Sequence, residues 1–315
     1  MFTLLISFGV TFILLIVLLK TRLVDFVLDK PNARSLHVHS IPRTGGLAIM
    51  LGLLLALWIT KINLSWVWLI LPLVTVSLID DMRGLSVRWR FLVQLIVCGF
   101  FVFLYSPQIH YLLWVPVLLG LVWVTNLYNF MDGSDGLAGG MGLFGFSAYA
   151  IAFYLNGDFQ LVMLSASTAA SCMAFLLFNF HPAKIFMGDS GSIPLGFLAG
   201  AIGVYGYIQA YWQVWFPLLV FSPFVIDATT TLFKRLINGE KLSQAHRSHY
   251  YQRLVQLGFG HKKTAIMEYT LMLLCSISAL ILLKLSKTSI ACGLIVWAII
   301  YLILAINIDK AWKLK

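Results

Sequence analysis

The sequence predicts an all-α polytopic membrane protein with about eleven transmembrane helices, and three observations carry that reading. Of the 315 residues, 60% are hydrophobic and only 11% are charged, with a mean hydropathy of +0.91. A soluble domain cannot bury that much apolar surface. Apolar runs near the roughly 20 residues that cross a hydrocarbon core recur along the chain. The basic residues between those runs are sorted by side.

The runs lie at about 2–19, 45–60, 64–80, 91–105, 111–127, 141–156, 160–178, 191–208, 212–233, 264–283 and 289–307. The first, MFTLLISFGVTFILLIVLLK, has no basic n-region and no small-x-small cleavage site, so it reads as a retained helix and not as a signal peptide. The second and sixth are short, and Gly45, Gly46 and Gly52 weaken the second. Cys98, Cys172, Cys275 and Cys292 all fall inside apolar runs without metal-ligand spacing, which marks them as small buried hydrophobes.

The net charge of +10 could suggest nucleic acid, but its placement suggests a membrane surface instead. With the N-terminus outside, all lysines and arginines except Lys61, Lys284 and Lys287 fall on inward segments. That asymmetry sets the N-terminus out and the C-terminus in the cytoplasm. No repeat or appended soluble domain is visible. Residues 1–315 form one transmembrane domain with cytoplasmic loops at about 20–44, 80–90, 128–140, 179–190 and 234–263.

The acids follow the same geography. Asp80, Asp81, Asp132, Asp135 and Asp189 sit at the cytoplasmic ends of different spans. An aspartate at a bilayer centre costs about 2.5–3.5 kcal/mol, so acids inside a membrane domain are functional candidates. In SLIDDMRGLSVRWRF, the adjacent carboxylates of Asp80 and Asp81 repel each other and need nearby cations; Arg83, Arg88 and Arg90 supply them. Metal or phosphate chemistry is one reading and a solvated helix end is the other.

In NLYNFMDGSDGLAGG, Asn126, Asn129, Asp132 and Asp135 recur every three residues, with glycines between them. A small-residue packing seam at Gly136 and Gly140 would explain the glycines but not the amides and acids; a ligand site explains both. FNFHPAKIFMGDSGSIPLG repeats the theme. Pro182 ends a helix, Lys184 offers a cation, and Asp189 opens the next span. A helix N-terminus with free amides suits a phosphate with a divalent metal; the competing reading is an ordinary turn with Asp189 as N-cap.

Two basic segments remain. KRLINGEKLSQAHRSHYYQRL carries His246, Arg247, His249 and Arg253. Its histidines lack a partner at zinc spacing; a His-Arg-x-His cluster is better suited to phosphates, and a basic loop held to anionic lipid is the alternative. NARSLHVHSIPRTGG adds Arg34, His37, His39 and Arg43 at a cavity mouth or lipid-phosphate approach. Asp227 is an intramembrane acid for which Lys234 and Arg235 are the candidate partners.

DDMRGL, NLYNFMDGSDGLAGG, NFHPAKIFMGDSGS and HRSHYYQRL, in that order between residues 31 and 254, resemble the polyprenyl-phosphate N-acetylhexosaminyl-1-phosphate transferases, glycosyltransferase family 4, of the bacterial O-antigen-initiating type. The resemblance implies a bacterial inner-membrane enzyme with its active site on the cytoplasmic face. It would move a sugar-1-phosphate from a UDP-N-acetylhexosamine to undecaprenyl phosphate, releasing UMP. It implies Mg²⁺, with Mn²⁺ able to replace it, bearing on Asp189 and Asn129. Asp80 and Asp81 would lie by the diphosphate and the lipid phosphate. Asp132, Asp135 and Asn179 would line the nucleotide pocket, and His246, Arg247 and His249 would contact the diphosphate and sugar. Arg43, Arg88 and Lys184 join the substrate-binding set as cations. The bilayer is a partner, nucleic acid is not, and a homodimer is left open.

The acceptor phosphate has a second pKa near ~6 and is mostly a dianion at cytoplasmic pH, so positioning outweighs a general base. Direct attack, with Asp80 or Asp81 orienting the acceptor or a metal, competes with a phospho-enzyme at one of these aspartates. The consecutive histidine run of relatives that use MurNAc-pentapeptide is absent. Where many GlcNAc-1-phosphate enzymes read His-x-His-His, Tyr250 and Tyr251 follow His249. That form is similar to members that start O-antigen synthesis, some with deoxy sugars whose less hydroxylated face two tyrosines would pack. A transporter or lipid-linked-sugar flippase is the competing class; acids gathered at one face and the lack of paired inverted halves argue against it.

Overall fold

The structure, a computed structural model, describes residues 2–21, 28–29, 40–241 and 246–314. Arg34, His37 and His39 lie outside them. Helix occupies each of the eleven expected stretches, as α1 (Phe2–Lys20), α2 (Gly45–Ile59), α3 (Ile70–Arg83), α4 (Val87–Tyr105), α5 (Trp114–Phe130), α6 (Leu137–Asn156), α7 (Phe159–Asn179), α8 (Asp189–Ile208), α9 (Trp215–Val220) with α10 (Ser222–Ile237), α12 (Gly260–Leu282) and α13 (Lys287–Lys313). A short extra helix, α11 (Tyr250–Leu254), precedes α12. Among the described residues, nine helical segments are long and apolar enough to cross a bilayer. The other two stretches fall short for physical reasons. The second run yields only the 15 residues of α2. The ninth breaks at Phe221, where Pro223 brings no N–H to the ladder and the Ser222 hydroxyl turns back to the Leu219 carbonyl, 2.7 Å away.

One feature departs from an all-α reading. Leu28–Asp29 pairs antiparallel with Ile41–Pro42, and the Pro42 carbonyl accepts the Phe186 N–H at 2.7 Å. The chain before α2 is thereby stitched to the chain before α8. Gly45 and Gly46 then donate to the Phe186 and Met187 carbonyls at 2.9 and 2.8 Å.

α8 is the axis of the fold, with α3 and α5 packed along it, and its apolar window is the most buried of the nine. Small residues make this possible. α2 crosses α8 at Gly46 and Gly191, where a Cβ on either would lie 2.2–2.4 Å from the other's Cα. In a bilayer, helix association gains from such close backbone packing because lipid removes the hydrophobic drive. The same logic turns α1 inside out. Thr3, Ser7, Thr11 and Leu15 are its buried face, and Ser7 and Thr11 hydrogen-bond Ser171 of α7 at 2.6 and 3.0 Å. Phe2, Leu5, Ile13 and Val17 face outward. α13 is peripheral, with Trp297 as its buried residue. Its Cys292 is exposed, whereas Cys98, Cys172 and Cys275 are buried as expected. The difference arises because a peripheral helix buries only one narrow stripe.

Gly258, at φ +100°, separates α11 from α12 in a backbone region open to glycine. α11 itself packs against α10 and α13.

A side chain at position 46 has nowhere to go. G46A is expected to lower the thermal unfolding midpoint of the detergent-solubilised protein by the equivalent of about 1–3 kcal/mol of overpacking. G99A, where a Cβ meets nothing within 4 Å, is expected to leave it unchanged or slightly raised, as read by intrinsic fluorescence in a thermal ramp.

Candidate active site

The α3–α4 turn begins the site. Gly84, at φ +67°, closes α3 and brings the Leu85 N–H to Asp80 Oδ1 at 2.6 Å. Arg90, one turn into α4, pairs with Asp80 Oδ2, and the same Nη1 reaches Asp189 Oδ2 at 2.9 Å. One guanidinium therefore bridges the ends of α3 and α8. Arg90 holds this place because it continues the buried stripe of α4 through Gln94, Val97, Cys98 and Phe101. Arg88 lies two residues earlier, about 200° round the helix, and is exposed.

The neighbouring Asp81 turns toward α8. Its oxygens accept the backbone N–H groups of Asp189 and Ser190 at 3.4 and 3.2 Å, an anion at a helix N-terminus. The amides expected to be free for a phosphate are thus partly taken: two by Asp81, and those of Gly191 and Ser192 by the Gly188 carbonyl. One turn along α8, the Ser192 hydroxyl donates to Asn129 Oδ1 at 2.7 Å, which brings the end of α5 to the same place. Asn126, a turn earlier, faces elsewhere and donates to Gln94 Oε1 at 2.6 Å, so the polar stripe of α5 divides between packing and site.

Asp132, just past α5, completes the cluster. Burial, then the charges of Asp189 and Asp81, push its carboxyl well above the usual range; Arg43 and the Gly188 amide pull the other way. Four acids thus gather around two guanidiniums, Arg43 and Arg90.

Beside this cluster sits a second one. Asp135 accepts from His181 Nδ1 at 2.7 Å and from the Ala183 amide at 3.2 Å. The ring of His261, on α12, stacks on His181 with centroids 5.6 Å apart and reaches the Ser134 hydroxyl at 2.8 Å. Asn179 is buried and used at both ends, accepting from the Gly136 amide at 2.9 Å and donating to the Ile185 carbonyl at 2.8 Å. It clamps the two loops together instead of offering its amide to a pocket. Lys184 is exposed.

The last loop docks on the end of α5. Tyr251 donates to the Phe130 carbonyl at 3.1 Å, and the His249 ring stacks on Phe130 at 6.4 Å. Asp227 does not pair with Lys234 or Arg235. It accepts from His249 Nδ1 at 3.1 Å, from the Tyr250 and Tyr251 amides at 2.9 and 3.0 Å, and from Thr231 at 3.1 Å. Lys234 instead pairs with Asp309 of α13, and Arg235 with Glu240 at 2.7 Å. Arg253 joins Asp309 at 2.8 Å, so the far end of α13 braces the loop. Tyr250 and Tyr251 are both buried in this scaffold, which removes them as a surface for a sugar. Arg247 is exposed at the head of the loop.

Residues 63–207 match the family described as Glycosyl transferase family 4. A probable undecaprenyl-phosphate N-acetylglucosaminyl 1-phosphate transferase of Bacillus subtilis is 30% identical over 81% of this chain and 76% of its own length. The chain belongs to the polyprenyl-phosphate N-acetylhexosaminyl-1-phosphate transferase family. A decaprenyl-phosphate N-acetylglucosaminephosphotransferase of Mycolicibacterium smegmatis is also 30% identical, over 76% of this chain and 71% of that protein. A phospho-N-acetylmuramoyl-pentapeptide-transferase of Geobacillus kaustophilus is 29% identical over 68% of this chain and 75% of that one. Relatives with different sugars stand at nearly the same distance, so overall likeness does not choose the sugar.

Among the transferase's candidate residues, Asp80, Asp81, Asn129, Asp132, Asp189 and Arg43 meet around the start of α8. Asp135 and Asn179 form the adjoining loop clamp, and His246, Arg247 and His249 stand on the docked loop. Arg88 and Lys184 stay at the exposed margin. Arg90 and His261 belong with the site residues. Helical periodicity from Gln94 and Val97 marks Arg90 over Arg88, whereas nothing local marks His261.

His246 shows how the loop environment acts on a titrating group. Burial, with His249 and Arg235 nearby, pushes its imidazole down to about 4 from an ordinary value near ~6.5. Between those values the unfolded chain takes up a proton that the folded one refuses. The stabilisation is therefore complete above pH ~6.5 and drains away as pH falls toward ~4. The unfolding midpoint of the wild type is expected to drop across this window, and H246Q is expected to show a shallower drop in the same pH series.

Proposed function

We propose that this transferase moves an N-acetylhexosamine-1-phosphate from a UDP-sugar to undecaprenyl phosphate, giving undecaprenyl-diphospho-sugar and UMP. The reading extends to the first membrane step of O-antigen or a related cell-envelope glycan. It places the protein in the bacterial inner membrane with eleven spans, the N-terminus outside and the site on the cytoplasmic face. The observation that carries it is the meeting of Asp80, Asp189 and Asn129 at the start of α8, held by Arg90 and Ser192. Family membership favours it over a transporter, as does the gathering of charge at one end of the helix bundle.

The chemistry needs little from a base. An oxygen of the acceptor phosphate attacks the sugar-bearing phosphorus, a new P–O–P bond forms, and the bond to UMP breaks. Both substrates and both products carry about two negative charges, so no proton has to move. What remains is to hold two anions in line and neutralise them. Asp81 fixes the start of α8, Arg90 fixes Asp80 against Asp189, and Arg43 adds positive charge beside Asp132.

Magnesium fits the donors present. Asp80, Asp189 and Asn129 offer only oxygen, which a hard cation prefers, and the crowding of acids that helps push Asp132 toward its neutral form is eased by added positive charge. Among the described residues, no three acidic, histidine or cysteine side chains already converge tightly enough to hold an ion. An ion that shares its ligands with substrate phosphates suits this set better than a resident one. When bound, it supplies charge neutralisation for the diphosphate.

The direct test is release of UMP when purified protein meets a panel of UDP-N-acetylhexosamines, undecaprenyl phosphate and Mg²⁺. Label from one UDP-sugar is expected in the lipid fraction in equal amount to UMP, and chelation is expected to abolish both. Label in neither fraction with any UDP-HexNAc, together with solute uptake into vesicles, would overturn the reading. A labelled protein in the absence of lipid would replace direct attack with a phospho-enzyme.

The two arginines of α4 separate site from surface. R90A leaves Asp80 and Asp189 unbridged and is expected to lower kcat at least about 100-fold, in the range found when a preorganised charge is removed. R88A is expected to stay within about threefold, since exposed charges of this kind contribute ~1 kcal/mol or less. Initial rates of UMP formation compare them.

A further inference from the structure

The two histidines of the last loop are wired differently. Ser248 lies between them and turns both its backbone N–H and its hydroxyl to His246 Nδ1, at 3.3 and 2.7 Å. An amide can only donate, so His246 Nδ1 carries a lone pair and its proton is on Nε2. A neutral ring agrees with the downward push that its surroundings exert. His249 has the opposite neighbour. Its Nδ1 lies 3.1 Å from Asp227 Oδ1. Oδ1 itself already accepts from the Tyr250 amide and the Thr231 hydroxyl, which leaves that oxygen no direction in which to donate, while Oδ2 accepts from the Tyr251 amide. The proton between them is therefore on His249 Nδ1. The Gln252 backbone N–H also faces this ring, but a lone pair on Nδ1 would oppose the Asp227 oxygen head-on. Phe130 and Tyr251 stack against the His249 ring at 6.4 and 5.8 Å and hold its plane.

We propose that Asp227 and Ser248 are positioning residues that lock His249 and His246 in opposite tautomers, Nδ1–H and Nε2–H. With each Nδ1 engaged inside the protein, any ring-nitrogen contact to substrate runs through Nε2. His246 then offers a fixed N–H donor, suited to an oxygen of the diphosphate. His249 offers a lone pair, suited to a hydroxyl or acetamido N–H of the sugar. The ring centroids are 4.9 Å apart, so donor and acceptor stand side by side. This use of the pair rests on the proposed sugar-phosphate transfer; the tautomers themselves do not.

The test is ¹⁵N NMR of histidine-labelled full-length protein in nanodiscs at neutral pH, with peaks assigned through H246N and H249N. The expected spectrum has His249 protonated at Nδ1 alone and His246 at Nε2 alone. His249 bare at Nδ1, or either ring doubly protonated or mixed, overturns the proposal, and this needs no variant that might misfold. S248A, at a half-exposed position, is expected to mix the His246 tautomers and raise the KM for the UDP-sugar about fivefold, one hydrogen bond's worth, with kcat within about twofold. D227A is expected to release His249 from Nδ1–H and to lower kcat about 100-fold, with partial recovery in D227E; unchanged tautomers in S248A and D227A would also refute it. If UMP is never released while the tautomers are as stated, the reaction is wrong and the wiring stands. If UMP is released and the tautomers are reversed, only the wiring falls.

Discussion

Carboxylates brought together at a membrane boundary repel one another, and the compensation of that repulsion organises this end of the molecule. Asp80 and Asp81 come from the end of α3, Asp189 from the start of α8 and Asp132 from the loop after α5. Each has a distinct answer to its charge. Asp80 and Asp189 share Arg90, Asp81 takes the amides at the start of α8, and Asp132 is pushed toward its neutral form with Arg43 as partial relief. Low local dielectric makes every one of these terms larger than it would be in water. The same condition makes the arrangement costly to leave incomplete, so the helices that carry the acids must be held rigidly.

That rigidity comes from the close packing of α8 against its neighbours. α8 can present its N-terminus to α2, α3 and α5 together because its surface is small: Gly46 against Gly191, and Gly196 against Thr125 of α5, where an added Cβ would meet the Thr125 carbonyl at 2.8 Å. The short ladder at Ile41–Pro42 extends the same fixation to Arg43 through the Phe186 amide. Packing, backbone stitching and charge compensation are thus successive layers of one structure. Loosening α8 in the membrane would separate acids that no longer had a shared cation.

Much of this was legible in the sequence because a bilayer leaves few choices. Apolar runs of nearly 20 residues must be helices, and all eleven expected stretches are. The convergence of the acid motifs was legible too, since alternating spans return their ends to the same side. The arginine that bridges them was legible in principle: Gln94, Val97 and Cys98 define the buried stripe of α4, and only Arg90 continues it. Other features were not. The partner of Asp227 lies 22 residues away, beyond the loop that follows α10, and local charge pointed instead to Lys234 and Arg235. Their true partners, Asp309 and Glu240, depend on how α13 and the loop fold back. His261 reaches Ser134 only because α12 packs along α6. Periodicity reports which face of a helix is buried, and it is silent about which distant loop covers that face.

The tyrosine pair shows that a residue type read without its surroundings misleads. As sequence, Tyr250 and Tyr251 after a histidine cluster invite a role in packing a sugar ring. In the fold, Tyr251 closes onto the Phe130 carbonyl, and an added Cβ at Gly133 would lie 2.2 Å from its hydroxyl. Tyr250 lies between Lys234 and Arg253, each 5.2 Å from its ring, with Asp309 bound by both cations. Buried cation–aromatic contacts of this kind hold a loop in register. The tyrosines therefore serve this chain's own loop scaffold and leave no exposed ring face for a sugar. On the proposed reaction, discrimination among sugars passes to the half-buried His246 and exposed Arg247 of the same loop and, through Nε2 alone, to the buried ring of His249. A sugar lacking a donor opposite that nitrogen leaves a polar atom unpaired in a closed site, and an unpaired buried polar atom is a stronger discriminator than a missing apolar contact.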